Sequence, residues 1–417
     1  MKRLIILLIT GLGLAGCKKD RDNNNSGMDY VYIQSNQFME NQNSIIAYRL
    51  HSDGSIEEIP GSPFLTSGAG VGNPQQILGP NDSDTEIKLT DDGRFLLAVN
   101  SGSNTIAVFR VEGDGRLTMV PGSPFPSGGQ TPVSIDIRGQ YVYVVNKSQD
   151  PLHPPTQAPN YTVFTMDNDG KLTMVPNSTV ATTPGSSPAQ ALVSRDDKFV
   201  FGADFLGFMV GAGTLRSFTV NNADGKITPV PGTPYAIPGQ GGALGLWQHP
   251  SANVLYVGFP LQAKVGVYNI DATSGALTFQ TAVDAGAAAC WIRTTRDGNR
   301  MYVLNSAENT ISMYNSSSPA APASLGKLEL KNSGPIYMAM GMPFTTSEPF
   351  SFEFSSDEEW LIVVNQHTNP DFSIGNFNFL HMVKVNDDGT LAEPGEPMQI
   401  PVPNTVRPRG VAVKRIN

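Results

Sequence analysis

The chain has 417 residues, with 28 basic against 37 acidic side chains, a formal net charge of −9, 42 glycines, 32 prolines and two cysteines. An acidic balance with no basic run argues against nucleic acid and against anionic lipid head groups as partners. The length exceeds an ordinary domain unless a repeat architecture uses it as one body.

Met1-Lys2-Arg3 is a basic start, Leu4 to Leu14 an apolar run, and Leu14-Ala15-Gly16-Cys17 closes it with small residues. This is the pattern of a lipoprotein signal over residues 1–17, too short for a permanent span, with Cys17 as the lipidated residue. Residues 18–27, polar and rich in Asn and charge, read as a disordered tether. The protein is thus expected to hang from a bacterial envelope membrane by acyl chains, on its periplasmic or outer surface. Loss of Lys2 and Arg3 leaves 26 basic groups, a net charge near −11. Cys290 is then alone, so no internal disulfide can form, and beside Trp291 it reads as a small buried hydrophobe.

From Met28 a phrase recurs. Ile56-Glu57-Glu58-Ile59-Pro60-Gly61-Ser62-Pro63-Phe64 follows an Asp53-Gly54 turn, and Leu117-Thr118-Met119-Val120-Pro121-Gly122-Ser123-Pro124-Phe125 follows Asp114-Gly115. Leu172 to Pro176 follows Asp169-Gly170, and Ile227 to Tyr235 follows Asp224-Gly225. Self-similarity at a spacing of roughly 40–55 residues marks a repeat fold. Residues 87–125 carry the grammar: a short apolar stretch, the Asp92-Gly93 turn, Phe95 to Asn100, Thr105 to Val111, then Leu117 to Val120. Short strands between Gly, Asn and Asp turns, without helical periodicity, make a four-stranded antiparallel blade.

The second strands are expected around Tyr30–Ile33, Phe95–Val99, Tyr141–Val145, Phe199–Ala203, Leu255–Gly258, Met301–Leu304 and Leu361–Val364. Nothing precedes Met28 to serve as an innermost strand, whereas Arg409 to Lys414 is one with no blade after it. The last strand therefore should complete the first blade, closing a seven-bladed β-propeller over residues 28–417 and removing its free sheet edges. Insertions at 148–160 and 365–378 are expected to rim one mouth of the channel, and Thr66 to Ser83 joins the first two units.

Chemistry is thinly signalled. Asp167-Asn168-Asp169-Gly170 imitates a calcium loop, but Ser178 stands where the twelfth-position carboxylate belongs, so hairpin chemistry explains such turns. Asn100, Asn146, Asn305 and Asn365 read as strand-end residues that tolerate unusual backbone angles. Of the five histidines none has metal-ligand spacing, and no metal or cofactor is expected. His153 and His367 lie in the two insertions, where either a solvated surface role or a general acid-base role is open.

The innermost strands carry polar residues on one parity: Glu86 and Lys88, Gln190, Trp291 and Arg293, Ser351 and Glu353. Charge there is costly unless it reaches a channel or a partner. Arg293 and Glu353 fall on adjacent blades and should meet, with Arg407 or Arg409 nearby. Either they form a structural ion pair or they bind an anion and do acid-base work.

The Asp-Gly turn, the Leu-Thr-x-Val-Pro-Gly-Ser-Pro-Phe phrase and the Phe-Leu-x-Val-Asn strand together resemble the lactonase-type seven-bladed propellers, which include 6-phosphogluconolactonases and muconate-lactonizing enzymes. The resemblance covers the whole domain and implies a lactone bound in the central cleft by His, Arg and Glu at the starts of inner strands. It departs where those residues belong: the family's Gly-Pro-Arg-His is Gly242-Ala243-Leu244-Gly245, its Pro-His is Pro188-Ala189-Gln190, and its Asn-Glu is Phe259-Pro260. Neither Gln190 nor Gly245 can take a proton.

Three functions compete. One is an envelope lactone hydrolase with a migrated site at Glu353, Arg293 and His367, its ligand touched by Glu86, Lys88, Gln190, Trp291 and Arg409. The second is a non-catalytic propeller holding a carbohydrate or protein partner. The third is a scaffold with an empty channel. A monomer is expected in each case.

Overall fold

The computed structural model describes residues 27–416 apart from Met340, Ile374 and Asn376. Cys17, the leader and residues 18–26 lie outside the described residues. The fold is a seven-bladed β-propeller. Blade 2 is the simplest: Ile87–Leu89, Phe95–Asn100, Thr105–Val111 and Leu117–Met119, antiparallel from the channel outward. Blade 1 is closed by the chain's end, for Arg409–Ile416 pairs with Met28–Gln34 in the register Val31 to Val413 and Ile33 to Val411. All seven expected second strands are present.

The second strands read as near-continuous apolar runs because both faces of a blade are covered by its neighbours. Phe95–Asn100 and Tyr141–Asn146 are buried at every position. The core is accordingly distributed: among the described residues it forms seven apolar clusters, one at each blade-to-blade interface.

The Asp-Gly turns explain themselves in the same geometry. Gly115 has φ +81 and lies flat beneath Tyr30, in the second strand of the preceding blade; any Cβ would enter that ring. Gly225 is covered by Tyr141 in the same way. The following strand position often adds a hydrogen bond, as Tyr32 Oη donates to the Gly115 carbonyl at 2.9 Å and Tyr302 Oη to the Gly389 carbonyl at 2.9 Å. The repeated dipeptide is thus a clasp between blades as well as a turn.

Two details depart from expectation. Blades 1, 2, 3 and 7 carry a fifth two-residue strand, such as Phe125–Pro126, which returns to the third strand after the Pro-Gly-Ser-Pro stretch. The strand-end asparagines owe their place to their amides rather than to unusual backbone angles, since none has positive φ. Asn43 Nδ2 donates to Asn100 Oδ1 at 2.8 Å, and Asn365 Nδ2 to Asn309 Oδ1 at 2.7 Å.

Antiparallel order puts two kinds of connection on one face: those joining second to third strands, and those passing from outer strand to the next inner strand. We call this the upper face. Inner strands start there and end at the lower face. A hairpin not foreseen from the sequence, Ile336–Ala339 with Met342–Thr345, also stands on the upper face, between blades 6 and 7.

Candidate functional site

Seven inner strands converge on a narrow axis, so their inward side chains contact one another across it. In the lower half these contacts are saturated. Arg293, in the blade 6 inner strand Ala289–Thr294, donates Nη1 and Nη2 to the two carboxylate oxygens of Asp84, at 2.9 Å each. Its Nε donates to Glu353 at 3.1 Å, and its guanidinium lies 4.9 Å over the Trp247 ring. Burial alone would discharge it, but Asp84 and Glu353 outweigh burial and hold it charged.

Gln190 donates to Asp84 at 3.3 Å and bonds the Leu246 backbone in blade 5, while Lys88 meets Asp136 at 2.8 Å. The expected meeting of Arg293 and Glu353 is therefore present, inside a network that engages four of the five guanidinium N–H groups of Arg293.

The other expected residues are dispersed. Arg409 stands apart from Arg293 and bonds the hydroxyls of Ser83 and Ser101. It faces Glu86, whose carboxyl is pushed by burial to about 7 against the pull of Arg409. Trp291 is wholly buried, donates Nε1 to the Ser83 carbonyl at 2.8 Å and packs on Phe350, so it offers no face to a ligand in this state. His153 is exposed and paired with Asp150 at 2.8 Å. His367 closes the second strand of blade 7, Trp360–His367, rather than lying free in the insertion, and is half-buried; burial and then Arg407 lower its pKa.

The upper half differs. A small cavity of about 60 Å³ opens on the upper face, where the Thr66–Ser83 connection folds over the axis. Its walls are Phe205, Leu244, Leu261, Phe344, Phe350 and Phe372, with Ile77 and Leu78 from the connection. Both insertions border this mouth. Phe372 supplies wall from one, and Gln149 of the other donates to the Leu78 carbonyl at 2.8 Å.

Three acids line the cavity, Asp82, Glu348 and Cys290. Glu348 lies in the blade 7 inner strand Ser347–Phe354, three residues before the stretch whose parity is legible from the following turn. It accepts a hydrogen bond from Thr368 Oγ1 at 2.8 Å. Burial lifts its carboxyl from 4.5 to about 7; Arg407 and Thr368 oppose the lift, and Asp82 adds to it.

Asp82 is likewise raised, by burial, against Lys147, and accepts from the Gly79 amide at 2.6 Å. Cys290 is pushed well above the usual thiol range by burial and then by Asp82, so it stays a neutral thiol. Arg407, 2% exposed, stands near Glu348, and burial lowers its pKa to about 10. Its Nη1 donates to the His367 carbonyl at 3.2 Å, and its Nε and Nη2 have no partner among the described residues.

A carboxylate poised near neutrality in an apolar cavity with an open mouth is the arrangement a general base requires. Asp82 and Glu348 were not singled out from the sequence as site residues, and Arg407, expected near Arg293 and Glu353, stands near Glu348 instead. The signal available was their position at the starts of inner strands, where chains of this architecture converge at the upper face.

Comparison with known proteins places the fold. The family model of the lactonase seven-bladed β-propeller matches residues 28–154 and 160–408. No curated protein matches the sequence. Among solved structures, a candidate 6-phosphogluconolactonase from Bacteroides uniformis aligns at 17% identity and a TM-score of 0.65, covering 93% of this chain and 99% of its own. A periplasmic gluconolactonase from Pseudomonas aeruginosa aligns at 18% identity and 0.64, covering 92% and 99%. A second candidate 6-phosphogluconolactonase, from Bacteroides fragilis, aligns at 15% and 0.64, covering 95% and 100%. At such identities these likenesses speak for the fold alone.

Proposed function

Since this chain belongs to the seven-bladed β-propeller lactonase family, we propose that it hydrolyses a lactone in the upper cavity with Glu348 as general base. The observation that carries the reading is a buried carboxyl with a pKa near 7, hydrogen-bonded by Thr368 and lining a small, mainly apolar cavity that opens on the upper face. Ionised Glu348 takes a proton from water, whose oxygen attacks the lactone carbonyl. The ring C–O bond breaks from the tetrahedral intermediate, and the departing alkoxide receives the proton back, giving a hydroxy acid. Arg407 keeps Glu348 ionisable; without that neighbour burial would lift its pKa further.

Glu348→Gln should lower kcat by about 10²–10⁴-fold. In the wild type kcat/KM should rise with pH through about 7, as the base ionises. The rival centre is the Arg293–Glu353 pair. Turnover lost in Glu353→Gln and retained in Glu348→Gln would move the chemistry there.

The same reading makes the chain an envelope lipoprotein. The basic start, the apolar run and Leu14-Ala15-Gly16-Cys17 support it. Met28 lies beside Ser52 and Ser355, connections of the lower face, so a tether leaving there would point the cavity away from the bilayer. Cys17→Ala should abolish palmitate labelling and release the protein from the membrane fraction; unchanged fractionation would refute the anchor.

A further inference from the structure

The walls of the upper cavity speak to the chemistry of its ligand. Phe205, Leu244, Leu261, Phe344, Phe350 and Phe372 enclose it, and each ionisable group in its lining is an acid: Asp82, Glu348 and Cys290. Among the described residues no Lys, Arg or His lines it. Two of the cations nearby are engaged behind the wall. Lys147, 1% exposed, donates to the carbonyls of Gly79 and Asp82, and Arg409, wholly buried, bonds Ser83 and Ser101.

The rim continues the apolar character outward. Ile77 and Leu78 line the cavity yet remain 48% and 36% exposed. Scattered apolar residues on a surface need no explanation, but this adjacent pair stands at the mouth of an apolar cavity.

We propose that the cavity takes a neutral lactone carrying an alkyl or aryl substituent, and discriminates against phosphorylated or carboxylated lactones. The reacting ring would sit against Glu348, and the substituent would lie among the phenylalanines and leave past Ile77 and Leu78. A phosphate placed there would meet two carboxyl groups with no cation in the lining itself, and would shed its water against hydrocarbon. Arg407 is the group through which an anion could still be held, since two of its N–H groups lack a partner among the described residues. A phosphorylated probe tests that route directly.

This inference rests on the hydrolase reading for the word lactone, but its claim about neutrality and apolar character can be tested separately. The full chain is assayed with δ-decalactone, glucono-δ-lactone and 6-phosphoglucono-δ-lactone, by pH-stat for hydrolysis and by calorimetry for binding. The expected result is kcat/KM for δ-decalactone at least 100-fold above the phosphorylated lactone, with glucono-δ-lactone between or near the latter. Leu261→Lys, which places a cation in the wall at a partly exposed position, should narrow that ratio at least tenfold.

Equal or better binding of the phosphorylated lactone overturns the inference, whichever lactone is hydrolysed. Saturable binding of δ-decalactone without hydrolysis refutes the hydrolase reading and leaves the ligand class standing. No binding and no hydrolysis of any probe refutes both.

Discussion

Glu348 and Arg293 are both buried charged groups on inner strands, and their neighbours give them opposite characters. Arg293 meets two carboxylates and is held charged; Glu348 meets one incompletely paired guanidinium and is pushed toward neutrality. Breaking a buried pair by removing one partner leaves the other uncompensated, so Arg293→Met should cost about 3–5 kcal/mol in urea unfolding.

Glu348 acts in the reverse sense. Its folded pKa, about 7, lies above the ordinary 4.5, so the folded state holds its proton longer than the unfolded chain does. Stability should therefore fall as pH rises from about 4.5 through about 7, by up to ~3 kcal/mol from this group. Glu86 contributes in the same direction. Glu348→Gln should flatten part of that fall, and an unchanged pH-stability curve would refute the shifted pKa. The carboxyl that weakens the fold at neutral pH is the one proposed for catalysis.

Among the elements, the blade 5 inner strand Leu244–Gln248 shows why the family's histidine is absent from this chain. Gly245 has φ +55, and a Cβ there would collide with the carbonyl oxygen of Cys290 in blade 6. The bulge between Ala289 and Ile292 brings that carbonyl inward. Restoring histidine at 245 should therefore destabilise the protein, by about 2–4 kcal/mol, through left-handed strain and backbone overlap. Gain of lactonase activity in a stable Gly245→His protein would contradict this account. Gln190, the other departure, bonds blade 5 and Asp84 instead of a ligand. The inner strands have exchanged ligand groups for contacts between blades, and the acids at their upper ends are what remains free to act.

At the scale of the whole molecule, the ring is held by its last strand. Arg409–Ile416 pairs along Met28–Gln34, and Val411 packs in the interface between blades 7 and 1. Deleting residues 409–417 would expose a strand edge and two interface layers. We expect insoluble protein, or a Tm lower by more than about 10 °C; a truncated chain melting normally would refute closure as the source of stability.

How much was legible in advance follows from the range of each interaction. The Asp-Gly turn, the alternating runs and the strandless first unit are written in neighbouring residues, and from them the sequence by itself determined the propeller, its seven units and the closing strand. The meeting of Arg293 with Glu353 was also accessible, since adjacent units align on their turns. What only the tertiary structure decided is which polar inner-strand residues are already consumed. Asp84 with Arg293 spans 209 residues and Arg409 with Ser83 spans 326, separations over which no local pattern carries information. Glu348 was not legible for the same reason: a carboxylate acquires a pKa near 7 from desolvation, and desolvation belongs to walls drawn from distant segments of the chain, not to the residue.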